Sequence, residues 1–426
     1  MKINLKKIIL YLFSFYLLYL PDFTYLIGVN GFVILSIFIT LFLLKYLLTK
    51  NKKYFSLYKK KSIFLFIVFT VISSLYYMIR TSIAGVSIYD INNLRIIQNI
   101  IPIFYLIGCI TIYFELDNLN YSKQQKYKFI INVATIQGII ALAMLLIPSL
   151  KNIAINIFYQ SSEFNKYIFQ SRLYGICNGD YTYSLQIVHS ILALFCLVYM
   201  YYYKDKKSLI SLIIILMVTF LNGRFGLIIF SVGFIVFILY ILLKSMNPTK
   251  VVNIIFISTV IFATGYYIVL NYIPNVYKLV EHAILDISSF LSTGDSSTEM
   301  YDLVSSFRIP HGLYLIVGMG YRVFGGAGKM FNYNEKSADI GFVNDLYMGG
   351  LIYSFLLYAG YIYMLRKIIS FSKKFSFERI MCNILLVSII LANIKGEVFR
   401  SQMIITLLLI LLVFMLFEGE KNYGKK

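Results

Sequence analysis

The sequence predicts an all-α, polytopic integral membrane protein. Its residues are 59% apolar and only 14% charged, and the mean hydropathy is +0.77, whereas a soluble domain carries about 25% charged residues. The apolar residues form continuous runs rather than alternating with polar ones, which excludes an outer-membrane barrel. Because few polar stretches separate these runs, residues 1–426 are predicted to form a single membrane domain.

Continuous apolar runs predict about twelve transmembrane helices, because a spanning helix needs about 20 apolar residues. The first run follows the basic start MKINLKK and is followed by Pro21 and Asp22 rather than by a cleavage site, so it is predicted to remain as an uncleaved first helix. The runs are 8–20, 23–44, 62–79, 96–114, 129–147, 185–203, 208–221, 225–243, 251–271, 346–365, 380–394 and 401–417.

The distribution of charge predicts which side of the membrane each loop faces. With twelve helices and a cytoplasmic N-terminus, the inner loops and termini hold 26 of the 39 Lys and Arg residues and 6 of the 19 acids, and the outer loops hold 13 of each. The whole net charge of +20 then lies inside, as the positive-inside rule requires. Both termini are therefore predicted to be cytoplasmic. The two long loops, 148–184 and 272–345, are predicted to be outside and to form the functional face.

Arginine is distributed differently from lysine. Seven of the nine arginines are predicted to face outside, where an even share of the positive charge would place three. The guanidinium offers a rigid fork that pairs bidentately with phosphate oxygens, so the outer arginines predict an anion-binding site. The alternative is that they pair with the outer acids or extend along the helix ends to the interface. They are Arg80, Arg95, Arg172, Arg224, Arg308, Arg322 and Arg400.

Short motifs surround three of these arginines. Arg172 lies in SRLYGICNGD, where Gly175 lets the backbone approach a ligand closely, and Arg224 lies in the turn NGRFG. Arg308 lies in RIPHG, three residues before His311.

The chain has no DxD motif and no metal-spaced pair of histidines, so we expect no metal and no cofactor. We expect no nucleic-acid partner, because the basic residues lie in short blocks between apolar runs.

Four stretches carry a resemblance to a known family. They are SRLYG at 171–175, NGRFG at 222–226, IVGMGYRVFGG at 316–326 and SADIGFVNDLYMGGLIYSFLLYAG at 337–360. Their order resembles the Wzy-type polymerases of O-antigen and capsular polysaccharide repeat units, which are relatives of the O-antigen ligases. Asp339 and Gly341 occupy the acidic and glycine positions of the family pattern. Where the ligases tend to carry a His-Asn pair, this chain has Asn344 and Asp345, which favours a polymerase.

The resemblance implies a glycosyltransferase of the bacterial inner membrane. It would act on the outer face on undecaprenyl-pyrophosphate-linked oligosaccharides and transfer the growing glycan to the next repeat unit. A flippase and a chain-length regulator of the same pathway are implied as partners. Two alternatives stay open: an O-antigen ligase, and a non-enzymatic flippase or exporter of the same lipid-linked sugars. The exporter would be expected to carry charged residues inside several spans, and the sequence shows none there.

Combined with the arginine pattern, the resemblance implies a role for each candidate residue. The acceptor hydroxyl would lose its proton to Asp339, the first choice, or to His311. The pyrophosphate would be bound by Arg172, Arg224, Arg308 and Arg322, and the backbone would approach the glycan at Gly175, Gly318, Gly320 and Gly341.

Overall fold

The structure, a computed structural model of the chain, describes residues 5–85, 91–158, 175–177, 183–245, 307–323 and 340–423, with single positions between 252 and 267. A few side chains within these ranges are not described, among them those of residues 91–97 and of Arg224. The described residues form α-helices and no β-strand; one isolated bridge joins Phe23 and Val29.

The helices follow the apolar runs closely. In chain order they are α1 Leu5–Tyr19, α2 Thr24–Ile27, α3 Gly31–Leu48, α4 Lys52–Ser56, α5 Lys61–Ile83, α6 Ile91–Asn118, α7 Lys123–Leu146, α8 Pro148–Phe158, α9 Ser184–Tyr203, α10 Ser208–Asn222, α11 Arg224–Ser245, α12 Leu313–Val317, α13 Gly341–Phe371, α14 Phe377–Lys395 and α15 Gln402–Tyr423. A 3₁₀ turn, Val398–Arg400, joins α14 to α15.

Among the described residues, nine helices are long and apolar enough to cross a membrane, so the predicted all-α, polytopic membrane fold is confirmed. They are α3, α5, α6, α7, α9, α11, α13, α14 and α15, and α10 is a shorter apolar helix. The run predicted at 251–271 falls almost wholly outside the described residues. The total of about twelve spans and the side that each loop faces stay predictions.

The second predicted span begins later than its apolar run. The run starts at Phe23, but the short α2 ends at Gly28, whose φ of +69° lies in the left-handed region, and α3 begins at Gly31. Proteins commonly end a helix with such a glycine. The spanning helix is therefore the 18 residues of α3.

The described residues group into two compact units. The first comprises Met1–Phe38, Glu115–Asp295 and Ser372–Ser388, and the second comprises Ile39–Phe114, Ser296–Phe371 and Ile389–Lys426. In the second unit the most extensive helix pairing is between α5 and α13. In the first unit α9 packs against both α10 and α11.

A break divides α13 into two halves. Gly349 and Gly350 have non-helical dihedrals, and Gly350 has φ +65° and ψ −162°, a conformation that essentially only glycine adopts. Asp345 accepts a hydrogen bond from the Tyr358 hydroxyl across the break, 13 residues away, and the ring of Phe342 lies 6.2 Å from that of Tyr358. In a continuous helix these 13 residues would span about 20 Å. The first half, residues 341–348, must therefore fold back beside the second half, residues 351–371.

A short segment, residues 313–322, docks against this break. The N–H of Met319 donates to the carbonyl of Tyr347 at 2.7 Å, which satisfies a carbonyl left without its helical partner. A Cβ atom on Gly318 would overlap the backbone of Gly349, so the segment can approach this closely only with glycine at position 318. We call residues 313–322 the docked segment.

The 3₁₀ turn between α14 and α15 packs against the second half of α13, at some distance from the break. The ring of Phe399 in this turn is 4.8 Å from the rings of both Tyr358 and Tyr361. Tyr358 is eight residues beyond Gly350, which corresponds to about 12 Å along a helix. The second unit therefore holds the α14–α15 connection more than two helical turns away from the end marked by the break.

Candidate functional site

Charged side chains contact one another at the α14–α15 connection. The Arg322 Nε atom lies 2.6 Å from Glu397 Oε1, and its Nη2 atom lies 2.5 Å from Glu397 Oε2. Both side chains are buried, with 9% and 2% of their surface exposed. The Nε contact is a charge-assisted hydrogen bond, which is stronger than one between neutral groups, and the Nη2 contact adds a second short distance between the opposite charges.

Arg400 connects Glu397 to a second carboxylate. Its Nη1 atom is 3.2 Å from Glu397 Oε1, and its Nη2 atom is 2.8 Å from Asp345 Oδ1. Burial alone would lower the pKa of Arg400, but Tyr353, Asp345 and Glu397 around it raise that pKa well above its ordinary value. Two arginines and two carboxylates therefore form a buried group with no net formal charge. We call Arg322, Asp345, Glu397 and Arg400 the charged cluster.

Two hydrogen-bonded branches extend from the charged cluster. In one, Arg400 Nη2 donates to the Tyr353 hydroxyl at 3.2 Å, and that hydroxyl donates to Asn99 Oδ1 at 2.8 Å. In the other, the Tyr358 hydroxyl donates to Asp345, and Asn393 Nδ2 donates to the Tyr358 oxygen at 3.1 Å. These hydrogen bonds hold the paired groups in one arrangement, while Asn99 Nδ2 and Arg400 Nε have no hydrogen-bond partner among the described residues.

Arg80, near the end of α5, differs from the arginines of the cluster. Its Nη2 atom donates to the carbonyl of Gly318 in the docked segment at 2.6 Å. Its Nε atom is buried without a hydrogen-bond partner among the described residues, and no carboxylate pairs with Arg80 among the described ion pairs. Since a guanidinium carries five N–H donors, Arg80 retains both a net charge and spare donors.

The remaining predicted arginines and the histidine are not brought into the charged cluster by any described contact. Arg308 and His311 are both exposed, in the stretch before α12. Arg172 lies outside the described residues, and Arg224 is the first residue of α11. Asp339, the first choice for the base, also lies outside the described residues, so its role stays a prediction.

The predicted glycines do allow close approach, and the groups that approach them are other residues of this chain. A Cβ on Gly341 would collide with Asn393, one on Gly320 with the backbone of Arg80, and one on Gly175 would lie 2.8 Å from Gln137 Nε2. Gly318 faces Gly349, as described above. The structure therefore accounts for these glycines by contacts within each unit, whereas the sequence assigned them to the glycan.

Sequence reasoning identified Arg322 but missed its partner. It placed Arg322 on the pyrophosphate, whereas the structure commits this guanidinium to Glu397, so its spare capacity for an anion is small. Glu397, Tyr353, Tyr358, Asn393 and Asn99 were not singled out. The available signal was that Asp345 and Glu397 are acids flanking apolar runs on the predicted outer side.

Within the described residues, no group of three or more His, Cys, Asp or Glu side chains is placed to hold a metal ion. Comparison of the chain with protein-family models and with curated proteins found no match.

Proposed function

We propose that this protein polymerises undecaprenyl-pyrophosphate-linked oligosaccharide repeat units, of O-antigen or capsule, at the outer face of a bacterial inner membrane. The acceptor unit's hydroxyl attacks the anomeric carbon of the donor glycan, and lipid-linked pyrophosphate leaves. The proposal combines the family resemblance with the arrangement of three predicted outer arginines in the second unit.

The observation that carries the proposal is the contrast between Arg80 and its neighbours. Arg322 and Arg400 are neutralised by Glu397 and Asp345, whereas Arg80 has no paired carboxylate among the described residues and so keeps its positive charge, with its Nε atom unused. Arg322 belongs to the docked segment, and Arg80 contacts the same segment through the carbonyl of Gly318. A guanidinium in this condition suits a dianionic leaving group, whose charge grows as the glycosidic bond breaks.

Roles then follow for the other candidates. Arg322 and Arg400 hold the docked segment and the α14–α15 connection in place through their carboxylates. Arg172, Arg224 and Arg308 remain candidates for further pyrophosphate contacts, and Asp339 and His311 remain candidates for the proton acceptor. No metal is invoked, because guanidinium groups supply the positive charge; polymerisation should therefore proceed in the presence of EDTA.

The experiment that tests this proposal uses a deletion strain of the source bacterium. The wild-type gene should restore long surface glycan, and Arg80→Lys should leave single repeat units at matched protein level, because an ammonium cannot reproduce the planar fork. The expected loss of chain extension is about 100-fold or more, the effect of removing one charge-stabilising donor.

Lys60→Arg, at the other end of α5, is the matched control and should extend chains normally. Long glycan from Arg80→Lys would remove Arg80 from the leaving-group site. If the deletion strain still polymerises its glycan but loses transfer of finished chains to their carrier, the protein is a ligase. If repeat units remain on the inner face, it is an exporter.

A further inference from the structure

The two carboxylates of the charged cluster differ in what occupies their oxygens. Both oxygens of Glu397 lie against guanidinium groups, which do not release protons in proteins. Asp345 has one oxygen 2.8 Å from Arg400, and its other oxygen accepts the hydroxyl hydrogen of Tyr358. Among the described contacts of the cluster, Asp345 therefore has a neighbour that can transfer a proton, the Tyr358 hydroxyl.

Asn393 fixes the direction of the Tyr358 hydroxyl. The backbone N–H of Val398 donates to Asn393 Oδ1 at 3.3 Å, which leaves Asn393 Nδ2 to donate to the Tyr358 oxygen at 3.1 Å. Because Asn393 already donates to this oxygen, the hydroxyl hydrogen points to Asp345. The phenol oxygen retains a second lone pair, which can accept one further hydrogen bond.

Tyr358 is the less buried residue of this pair. Asp345 and Asn393 are each 1% exposed and Arg400 is 2% exposed, whereas Tyr358 is only partly buried. Tyr358 is therefore the member of the network through which a proton from outside would pass to Asp345. The break at Gly349 and Gly350 creates this arrangement, since a continuous α13 would hold the two side chains about 20 Å apart.

We propose that Tyr358 and Asp345 form a proton relay that deprotonates the acceptor sugar's hydroxyl, an inference that rests on the polymerase function proposed above. As the acceptor oxygen bonds to the anomeric carbon, its proton passes to the Tyr358 oxygen, and the Tyr358 proton passes to Asp345. The bond from the anomeric carbon to the pyrophosphate oxygen breaks, and its electron pair stays on the pyrophosphate. After the products leave, the proton returns through Tyr358 to solvent.

In the proposed relay, the charge of the cluster changes in the same step in which the pyrophosphate leaves. Before transfer, Arg322, Asp345, Glu397 and Arg400 have no net formal charge; after Asp345 takes a proton, the cluster carries one net positive charge. A positive charge in a poorly solvated site acts over a longer range than it would in water. Proton acceptance and stabilisation of the leaving pyrophosphate are therefore coupled.

The test measures steady-state polymerisation by the full-length protein in lipid nanodiscs. Its substrates are the lipid-linked repeat units that accumulate in the deletion strain. Tyr358→Phe removes the hydroxyl and should lower kcat by about 100-fold or more, with KM for the lipid-linked donor unchanged. Tyr361→Phe is the matched control: Tyr361 is buried on the same half-helix, its ring is also 4.8 Å from Phe399, and its hydroxyl has no hydrogen-bond partner among the described residues. This control should leave kcat unchanged.

A second measurement separates proton transfer from support of the fold. The charged or titratable groups around Asp345 are Arg400, Glu397, Tyr353 and Tyr358. To change the acidity of one of them alone, 2,3-difluorotyrosine is placed at position 358, where it makes the phenol more acidic at almost unchanged size. The pH profile of kcat should move to lower pH, and the same substitution at Tyr361 should leave it in place. An unmoved profile at 358, or a Tyr358→Phe enzyme as fast as Tyr361→Phe, overturns the relay. A wild-type protein that does not polymerise these units overturns the proposed function itself.

Discussion

The two ends of the second unit differ in how deeply their ion pairs are buried and in which cation forms them. At one end, Lys60 at the start of α5 pairs with Glu420 near the end of α15, and their side chains remain 28% and 27% exposed. At the other end, every side chain in the pairs of Arg322 and Arg400 is 9% exposed or less. The lysine end also uses aromatic faces: Lys60 Nζ lies 4.4 Å from the ring centre of Phe417.

The two ends suggest two uses of charge. A lysine pair marks a side of the membrane, whereas the arginine pairs hold side chains in a fixed arrangement. A partly exposed lysine pair contributes little to stability, and a flexible ammonium is sufficient to mark one side of the membrane. Buried ion pairs cost desolvation that their attraction barely offsets, so an apolar cluster would stabilise the unit as well. We infer that the arginine end is retained for its arrangement of donors and acceptors.

Burial alone does not explain the choice of arginine. In the first unit, Lys126 is also buried, with its side chain 2% exposed, and its Nζ atom is 2.8 Å from Asp117. A lysine therefore also forms a buried ion pair in this chain. Arg400, in contrast, contacts Asp345, Glu397 and the Tyr353 hydroxyl together, which the rigid guanidinium fork favours.

The largest expected effect is on stability when Glu397 is removed. Glu397→Ala leaves Arg322 and Arg400 with one carboxylate between them, and breaking a buried pair from one side costs about 3–5 kcal/mol. The free energy of unfolding of the purified protein, measured by SDS titration in mixed micelles, should fall by this amount. Glu420→Ala at the lysine end is the control and should cost less than about 1 kcal/mol. Equal losses at the two ends would contradict the distinction between them.

A smaller loss is expected when the break in α13 is opposed. Gly350→Ala forces a side chain onto a backbone conformation that only glycine adopts and pushes its Cβ against the docked segment, so we expect a loss of about 3 kcal/mol. Gly85 also has a positive φ, of +68°, but none of the described atoms lies within 4 Å of its Cβ position. Gly85→Ala should therefore cost only about 1 kcal/mol. The same SDS titration measures both variants, and a Gly350→Ala protein no less stable than Gly85→Ala would show that the break is not required.

Exchanging the two cations gives the smallest effects and tests the comparison most sharply. Arg400→Lys keeps the charge but cannot hold all three partners, so stability should fall by about 2 kcal/mol. Lys60→Arg should change stability by less than about 0.5 kcal/mol. Thermal unfolding in detergent, followed by circular dichroism, ranks the two variants. A harmless Arg400→Lys would mean that the cluster needs only a point charge.

The spans were predictable because each apolar run has an unambiguous length. The run at 185–203 became α9, and the runs at 380–394 and 401–417 became α14 and α15, each within a few residues at its start. The sequence run at 346–365 concealed the break, because glycines are common in membrane helices and a Gly-Gly pair does not by itself show that the chain turns back. The part of α13 that continues unbroken after the two glycines is its second half, residues 351 to 371.

The candidate site was less predictable. The excess of arginine on the predicted outer side drew attention to Arg322 and Arg400, but it did not show which arginines are paired with carboxylates. Arg322 and Glu397 are 75 residues apart in the chain, and no local pattern links residues at that separation. Arg80, which has no paired carboxylate among the described residues, lies at the end of an ordinary apolar run and has no motif around it.

The folded-back first half of α13 also determines when this part of the chain can enter the bilayer. Eight residues are too few to insert as a spanning segment, and Asp345 makes insertion still more costly. The cation that neutralises Asp345 is Arg400, which the ribosome adds 55 residues later, immediately before α15. Residues 341–348 therefore reach their final arrangement only after Arg400 has been synthesised, and the charged cluster assembles no earlier than that.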